Sequence, residues 1–362
     1  MLDTTPNALR NPQFRPRLVA DQLILPAPSG YQLKKVTGKE SGDGVRQTYT
    51  PADIRRAKLA LYGIETEAAS VQQLPPVIDI RMAKGGTGKS TVAGNQAVAL
   101  ALMGYRVLAI DGDPQASLTN MLGVDSSADG IRHIGHLMME AESSKTGEVD
   151  VGSAVAHIFP DGMLDLIPAD ITLTNADAWL MTRVGRDTVF SRLLESNRAF
   201  FQQYDVIIVD SAPGTTLLAY NFMAACKTLL AVVWLDRESL KAVNLLMSNV
   251  EEINRAIPGR SLDIEIVANG YHSSYKHCRE AVSTLAASYP GKINENIIPH
   301  FTGFARQQAL LTEEAKGPLV EQDPFSQGAK SMFELARSLV SRYGISLGGC
   351  KEVLKLATRA AA

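Results

Sequence analysis

Residues 83–91 read Ala83-Lys84-Gly85-Gly86-Thr87-Gly88-Lys89-Ser90-Thr91. An apolar run at 77–82 precedes them and a run of helix formers at 90–103 follows. A strand, a glycine loop and a helix in that order make a phosphate-binding loop. Glycines at 85, 86 and 88 let backbone N–H groups turn inward and approach phosphate oxygens that a side chain would obstruct. Lys89 can reach the β- and γ-phosphates, and Ser90 can offer a hydroxyl to Mg²⁺. The helix points its positive N-terminus at the anion. The usual pattern, G-x-x-x-x-G-K-[ST], asks for glycine at 83, where this chain has alanine. It has instead a second cation, Lys84, on the strand side of the loop and with no evident role inside one subunit.

Outward from the loop the pattern repeats. Short apolar runs at 107–110, 164–167, 206–209, 229–234 and 264–268 alternate with helical stretches at 178–201, 217–225 and 239–256, and a helix at 328–343 closes the series. β-Branched runs separated by helices predict an α/β fold: a doubly wound, mostly parallel sheet with helices on both faces. Ligands of such sheets sit outside the carboxyl ends of the strands. The 107–110 run leads into Asp111-Gly112-Asp113-Pro114-Gln115, and the 206–209 run into Asp210-Ser211-Ala212-Pro213-Gly214. Two carboxylates two residues apart at a strand end point the same way, so one can support Mg²⁺ while the other reaches an attacking water. An aspartate after four apolar residues is where a ligand for nucleotide-bound Mg²⁺ belongs. Taken singly, a glycine loop is often a turn and a strand-terminal aspartate often a helix cap. Three such features at strand ends of one sheet select a nucleoside triphosphate site.

The remaining tracts divide the chain into 1–72, an arm with a small helical region; 73–345, the phosphate-loop domain; and 346–362, a tail. Residues 1 to about 45 are rich in Pro, Gly and Gln, with a short helix near 19–25. Thr50 can cap a helix that has Pro51 at its first position, Asp53 near its positive end and Gly63 as its stop. Ile54, Ala57 and Leu61 share one face, while Arg55, Arg56 and Lys58 make the helix basic. A second helix after Gly63 would complete a helix-turn-helix, and the sequence there does not clearly supply one. A docking or dimerisation helix fits equally well.

Net charge is -2 over 362 residues, yet residues 1–70 hold ten Lys/Arg against seven Asp/Glu. The chain as a whole has no pull on nucleic acid, and the front segment has a weak one. Cys226, Cys278 and Cys350 are odd in number and far apart, so they form neither a disulfide framework nor a metal knuckle and suit a reducing cytosol. No secretory leader and no apolar run of membrane-spanning length is present. His133 and His136 are three residues apart without a partner set for a metal.

The phrases Lys84-Gly85-Gly86-Thr87-Gly88-Lys89-Ser90-Thr91, Asp111-Gly112-Asp113-Pro114-Gln115 and Asp210-Ser211-Ala212-Pro213 together resemble the deviant Walker A ATPases, and within them the ParA branch that partitions plasmids and chromosomes. Asp-Pro-Gln followed by Ala116-Ser117-Leu118-Thr119 is the most ParA-like phrase. The resemblance covers about 75–340, including Ile298-Pro299 and the tract 311–319. Two departures stand out: Ser211-Ala212 replaces the usual Cys-Pro or Thr-Pro, and the helix-turn-helix of the larger ParA proteins is incomplete.

The resemblance implies a slow ATPase acting in the cytoplasm on the nucleoid, with ATP and Mg²⁺ as cofactors. Its implied partners are a second copy of the chain, held by ATP, then nonspecific double-stranded DNA and a ParB-type centromere-binding protein that stimulates hydrolysis. It implies that Lys84 reaches the partner subunit's phosphates, Lys89 binds the β/γ-phosphates, Thr91 contacts the α-phosphate and Pro299 lies by the base. By the same resemblance Ser90 and Asp210 serve Mg²⁺, Asp111 supports the metal region and Asp113 orients the attacking water. An autorepressor role for the front segment is a further implication. The competing reading is a MinD-like positioning ATPase at a membrane, for which the 351–359 stretch is short and lacks a bulky aromatic.

Overall fold

The computed structural model describes residues 10–15, 18, 37, 48–61, 73–306 and 317–347. Within them seven strands make one sheet: β1 Val77–Arg81, β2 Val107–Gly112, β3 Ala156–Phe159, β4 Leu164–Ile167, β5 Val206–Ser211, β6 Thr228–Trp234 and β7 Asp263–Asn269. Their order is β3-β4-β2-β5-β1-β6-β7. All neighbours run parallel except β3, which is antiparallel to β4. The expected doubly wound α/β architecture is therefore present, with one antiparallel edge strand added.

Strand alternation sorts the apolar side chains into two layers. Ile78, Ile80, Ala109, Ile208 and Val232 face the helices Lys89–Leu102 and Gln327–Tyr343. Val77, Leu108, Ile110, Ile207 and Val209 face the opposite layer, with the helices Ile134–Ser143, Leu217–Ala225 and Arg237–Ala256. Each of the buried Ile, Leu and Val side chains stabilises the fold by about 1.5–3 kcal/mol relative to exposure. Between β1 and β2 the chain skips one position in the sheet, and β5 fills it. Asp210 thereby pairs in register with Asp111 on one side and with Ile80 on the other.

The helical stretch expected over 178–201 is broken. It forms Asn175–Leu180, Val189–Ser196 and Arg198–Phe201, because Gly185 adopts φ 63° within an exposed turn at 181–187. Helix Lys276–Ser288, which the sequence pattern does not announce, buries only Cys278, Ala281 and Leu285. Cys226 and Cys278 are free and buried.

Helix Pro51–Leu61 begins with a reciprocal cap: the Asp53 N–H donates to Thr50 Oγ1 at 3.2 Å, and the Thr50 N–H donates to Asp53 Oδ2 at 2.9 Å. Such a pair satisfies two of the donors a helix start leaves open. The helix docks on the far end of Lys89–Leu102. Arg55 donates to the Gly104 carbonyl at 3.1 Å and pairs with the buried Asp205 carboxylate. A Cβ on Gly104 would stand 3.0 Å from the Arg55 nitrogen, so the approach needs glycine. Lys58 is buried with its ammonium 4.8 Å from the Tyr105 ring centre. Two of the three cations expected on a basic face are thus turned inward, and only Arg56 is exposed, paired with Asp53.

Both sheet edges are covered. On β3, the Arg10 N–H donates to the Ile158 carbonyl at 2.8 Å, and the Arg10 side chain pairs with Glu321 at 3.0 Å. On β7, the Ile266 N–H donates to Lys292 O at 2.7 Å, the Asn294 N–H to Ile266 O at 2.8 Å, and Tyr271 bridges to Pro299. No helix among the described residues is long and apolar enough to cross a membrane. The helix near 19–25, the Gly63 stop and any helix after it, residues 311–316, Cys350 and the 351–359 stretch lie outside the described residues.

Candidate nucleotide site

Three strand ends meet at one edge of the sheet. After β1 the loop turns through Gly86 at φ 72° and Gly88 at φ 90° into helix Lys89–Leu102. Gly88 caps that helix in the left-handed region and brings no side chain to its first N–H groups. A helix start left open in this way is an anion site. Side-chain space above Gly85 and Gly86 is empty. Lys89, buried, folds back so that its ammonium donates to the Lys84 carbonyl at 3.3 Å. Burial pulls its pKa below the usual lysine value, while Asp210 and Asp113 draw it back up.

At the end of β2, Asp111 is fully buried and both its oxygens are engaged. Oδ1 accepts the Asp113 N–H at 3.1 Å; Oδ2 accepts the Thr119 N–H at 2.8 Å and the Thr119 hydroxyl at 2.7 Å. Burial, opposed by the Thr119 bonds, pushes Asp111 up to about 6. Asp111 therefore shapes the turn that carries Asp113. Asp113 Oδ1 accepts the Gln115 N–H at 2.9 Å. Ala116 completes the turn at φ 54°, a conformation uncommon for a residue with a Cβ.

At the end of β5, neither carboxylate oxygen of the fully buried Asp210 has a hydrogen-bond partner. Burial first, then the neighbouring Asp111, push its pKa well above the carboxylate range; Ser90 and Lys89 pull the other way. An uncompensated buried carboxylate costs several kcal/mol unless a cation meets it. Mg²⁺ fits that need, with Asp210 and Ser90 as the protein groups that would hold it. Among the described residues no three of His, Cys, Asp and Glu close into a metal cage.

A cleft of about 300 Å³ opens beside the loop, lined by Gly86, Thr91, Trp234, Asn269, Pro299 and Phe301 among others. Pro299 reaches it because the Ile298 N–H donates to Ala268 O at 2.9 Å, laying 298–299 alongside the end of β7. Asn269, which sequence reading did not single out, donates from Nδ2 to the Thr87 carbonyl at 2.8 Å and stands against Gly88. Its signal was an Asn-Gly pair at a strand end, which reads equally as a turn. Thr87 is itself buried, with its hydroxyl unpartnered.

Lys84 stands apart from this cradle. Its ammonium bonds Asp236 Oδ2 at 2.7 Å and lies 3.4 Å from Glu238 Oε2, both beyond the end of β6. Asp236 also caps helix Arg237–Ala256 by accepting the Ser239 N–H at 2.7 Å. The Asp236 hydrogen bond is the main cause of a raised Lys84 pKa. Neither this cap nor the partner of Lys84 was singled out in the sequence. His133 and His136 form no metal site: His133 caps helix Ile134–Ser143 and stacks on His136 at 3.7 Å.

The family described as an AAA domain matches residues 76–264, more than half of the chain. Cell division protein PomZ of Myxococcus xanthus is 28% identical over 297 residues, covering 82% of this chain and 86% of its own. Sporulation initiation inhibitor protein Soj of Bacillus subtilis is 26% identical over 271 residues, covering 73% and 98%. Chromosome partitioning protein ParA of Caulobacter vibrioides is 27% identical over 267 residues, covering 74% and 94%. Among solved structures, an ATP complex of McdA from Cyanothece has a TM-score of 0.61 at 20% identity, covering 74% of this chain and 97% of its own. A plasmid partition protein of Borrelia burgdorferi bound to AMPPNP has 0.58 at 21%, covering 74% and 99%. At these identities the structural likeness speaks for the fold.

Proposed function

The chain belongs to the ParA family of AAA-domain partition ATPases, and from that premise we propose that it hydrolyses ATP as a face-to-face dimer that holds DNA. The observation that carries this reading is the convergence of the uncapped helix start, Asp113 and the unpartnered Asp210 on one sheet edge, with Lys84 at its rim. In this reading the loop N–H groups and Lys89 bind the β/γ-phosphates, Thr91 the α-phosphate, and the cleft beside Pro299 takes the base. Asp113, its Oδ1 held by the Gln115 N–H, orients the attacking water toward the γ-phosphorus. Asp111 acts through the turn that sets Asp113. Bound Mg²⁺ would supply charge neutralisation on the phosphoryl oxygens.

Lys84 completes the site in trans. Two triphosphates brought face to face repel, and a lysine donated from the other subunit offsets that repulsion while stabilising charge on the transferring group. The Lys84 bond to Asp236 then belongs to the monomer and opens on dimerisation. Hydrolysis removes the γ-phosphate charge that Lys84 meets, and the dimer parts. DNA binding through phosphates needs no base reading and falls steeply with salt. A ParB-type partner stimulating turnover follows from the same reading.

The test is ATP-dependent binding to random duplex DNA across a salt series, with light scattering for mass. Lys84→Gln is expected to bind ATP as a monomer and to lose DNA. An ATP-dependent dimer of that variant would overturn the trans role. ATP-dependent binding to lipid vesicles in place of DNA would favour the MinD-like alternative.

A further inference from the structure

β1 carries a buried charge that the phosphate loop does not use. Arg81, the last residue of the strand, is completely buried, as is Asp79 two residues earlier on the same face. Both side chains enter the layer beneath helix Leu217–Ala225, among residues such as Tyr220 and Cys226. A guanidinium in the middle of a parallel sheet is costly, and an apolar residue would serve packing better. Its placement is specific. Arg81 Nη2 donates to the Gly214 carbonyl, while the Gly214 N–H donates to the Ala83 carbonyl at 3.1 Å. Ser211 donates its hydroxyl to Asp79 Oδ1. Gly214, at φ 90°, is thus held at both its polar backbone atoms by residues flanking the entry to the phosphate loop.

The three ties share one geometry. They join β1 and the loop entry at Ala83 to the segment 211–214, just past Asp210, whose own strand pairs directly with β1. We propose that Arg81, supported by Asp79, is a positioning residue that fixes the loop after Asp210 to the phosphate loop, so that the metal side and the phosphate side of the site move as one body. Pairing with β1 ends at Asp210, opposite Ile80, and pairing with β2 ends at Ser211, so 212–214 lie beyond the strand ladder. The Arg81 bond extends that pairing by a side chain. Its Nε and Nη1 groups, buried without partners, keep a positive charge beneath the site. This inference rests on the reading of the strand ends as a Mg²⁺–nucleotide site, but the ties themselves can be tested without nucleotide.

The experiment compares Arg81→Met, Arg81→Lys and the pair Asp79→Ala with Arg81→Met. The paired variant removes both buried charges, so a folded protein is available even if the single change leaves Asp79 uncompensated. Amide hydrogen exchange at 212–216 is measured in nucleotide-free protein, followed by the Mg²⁺ concentration for half-maximal ATP binding. Loss of a charged-group hydrogen bond should speed exchange at Gly214 about tenfold and raise the Mg²⁺ midpoint by a similar factor. Exchange within β5 and ATP binding without Mg²⁺ should stay near the parent values. Arg81→Lys, which keeps a donor, should recover most of both. Unchanged exchange at 212–216 in a folded Met variant would overturn the proposal. So would faster exchange with an unaltered Mg²⁺ midpoint, since the tie would then hold the loop without positioning the site. A parent protein that binds no ATP at any Mg²⁺ concentration would defeat the nucleotide reading instead, leaving exchange to judge the tie.

Discussion

The nucleotide edge and the docked helix Pro51–Leu61 are both rich in charge, and they treat it in opposite ways. In the helix each cation has been absorbed. Arg55 is neutralised by Asp205, Lys58 is buried beside Tyr105, and Arg56 pairs with Asp53. At the strand ends charge is left unanswered: Asp210 accepts no hydrogen bond and the loop helix starts without a side-chain cap. The contrast separates structural charge from charge kept for a ligand. A basic helix in a sequence looks like a surface for an anion until its partners are known, whereas the strand-end pattern already implied that something must come from outside.

The largest expected effect lies on the unanswered side. Asp113→Ala should keep ATP-dependent dimerisation, measured by light scattering, and lower kcat by about 10²–10⁴-fold. Normal turnover in that variant would erase the functional half of the contrast. On the absorbed side, Arg55→Ala takes the guanidinium away from the buried Asp205, which keeps the Arg106 N–H at 2.8 Å but loses its paired charge, and should cost about 3 kcal/mol in urea unfolding with ATP affinity of the folded protein unchanged. Loss of ATP affinity with intact stability would mean the two regions had been assigned the wrong way round.

Lys58 sharpens the comparison through pH. Burial lowers its pKa to about 7, below the ordinary lysine value of 10.5. Between those pH values the unfolded chain holds a proton that the folded chain has released, so stability rises with pH across that window. Below pH 7 both states hold it and the penalty is constant. Lys58→Met should therefore gain about 1–2 kcal/mol near pH 7.5 and flatten the rise, as read from denaturant midpoints over pH 7–10. The smallest effect concerns Lys84, which belongs to both categories in turn. Removing the charges of its half-buried and exposed partners with Asp236→Asn and Glu238→Gln should lower the ATP concentration for dimerisation about two- to fivefold, as suits surface pairs. No shift would mean that the contact does not compete with dimerisation.

What the sequence disclosed follows the same division. β1, β2 and β4 to β7 were legible because each is a short apolar run feeding a polar strand end. β3 was not, because His157 interrupts its four residues and its only strand neighbour is β4. The 178–201 tract read as one helix from its apolar spacing, since nothing local required Gly185 to take a left-handed turn. Lys89, Asp113 and Asp210 stand together at the sheet edge where β1, β2 and β5 end. Asp111 lies among them but with its oxygens already engaged by Asp113 and Thr119. The partners that give Lys84 and Arg81 their meaning, Asp236 and Gly214, are more than a hundred residues away and carry no local signature.

The covered edges of the sheet bear on how copies of this chain can add to one another. An exposed edge strand offers its free peptide groups as a template, and a chain with two such edges can grow without limit. Here Arg10 caps one margin, and the segment carrying Lys292, Asn294 and Pro299 lines the other. Lateral accretion of sheet on sheet is obstructed at both margins. In the proposed ATP-held pair, a contact across the nucleotide edge would be self-complementary and would close after two copies. Assembly governed by such a face comes in countable, reversible units instead of open-ended fibres.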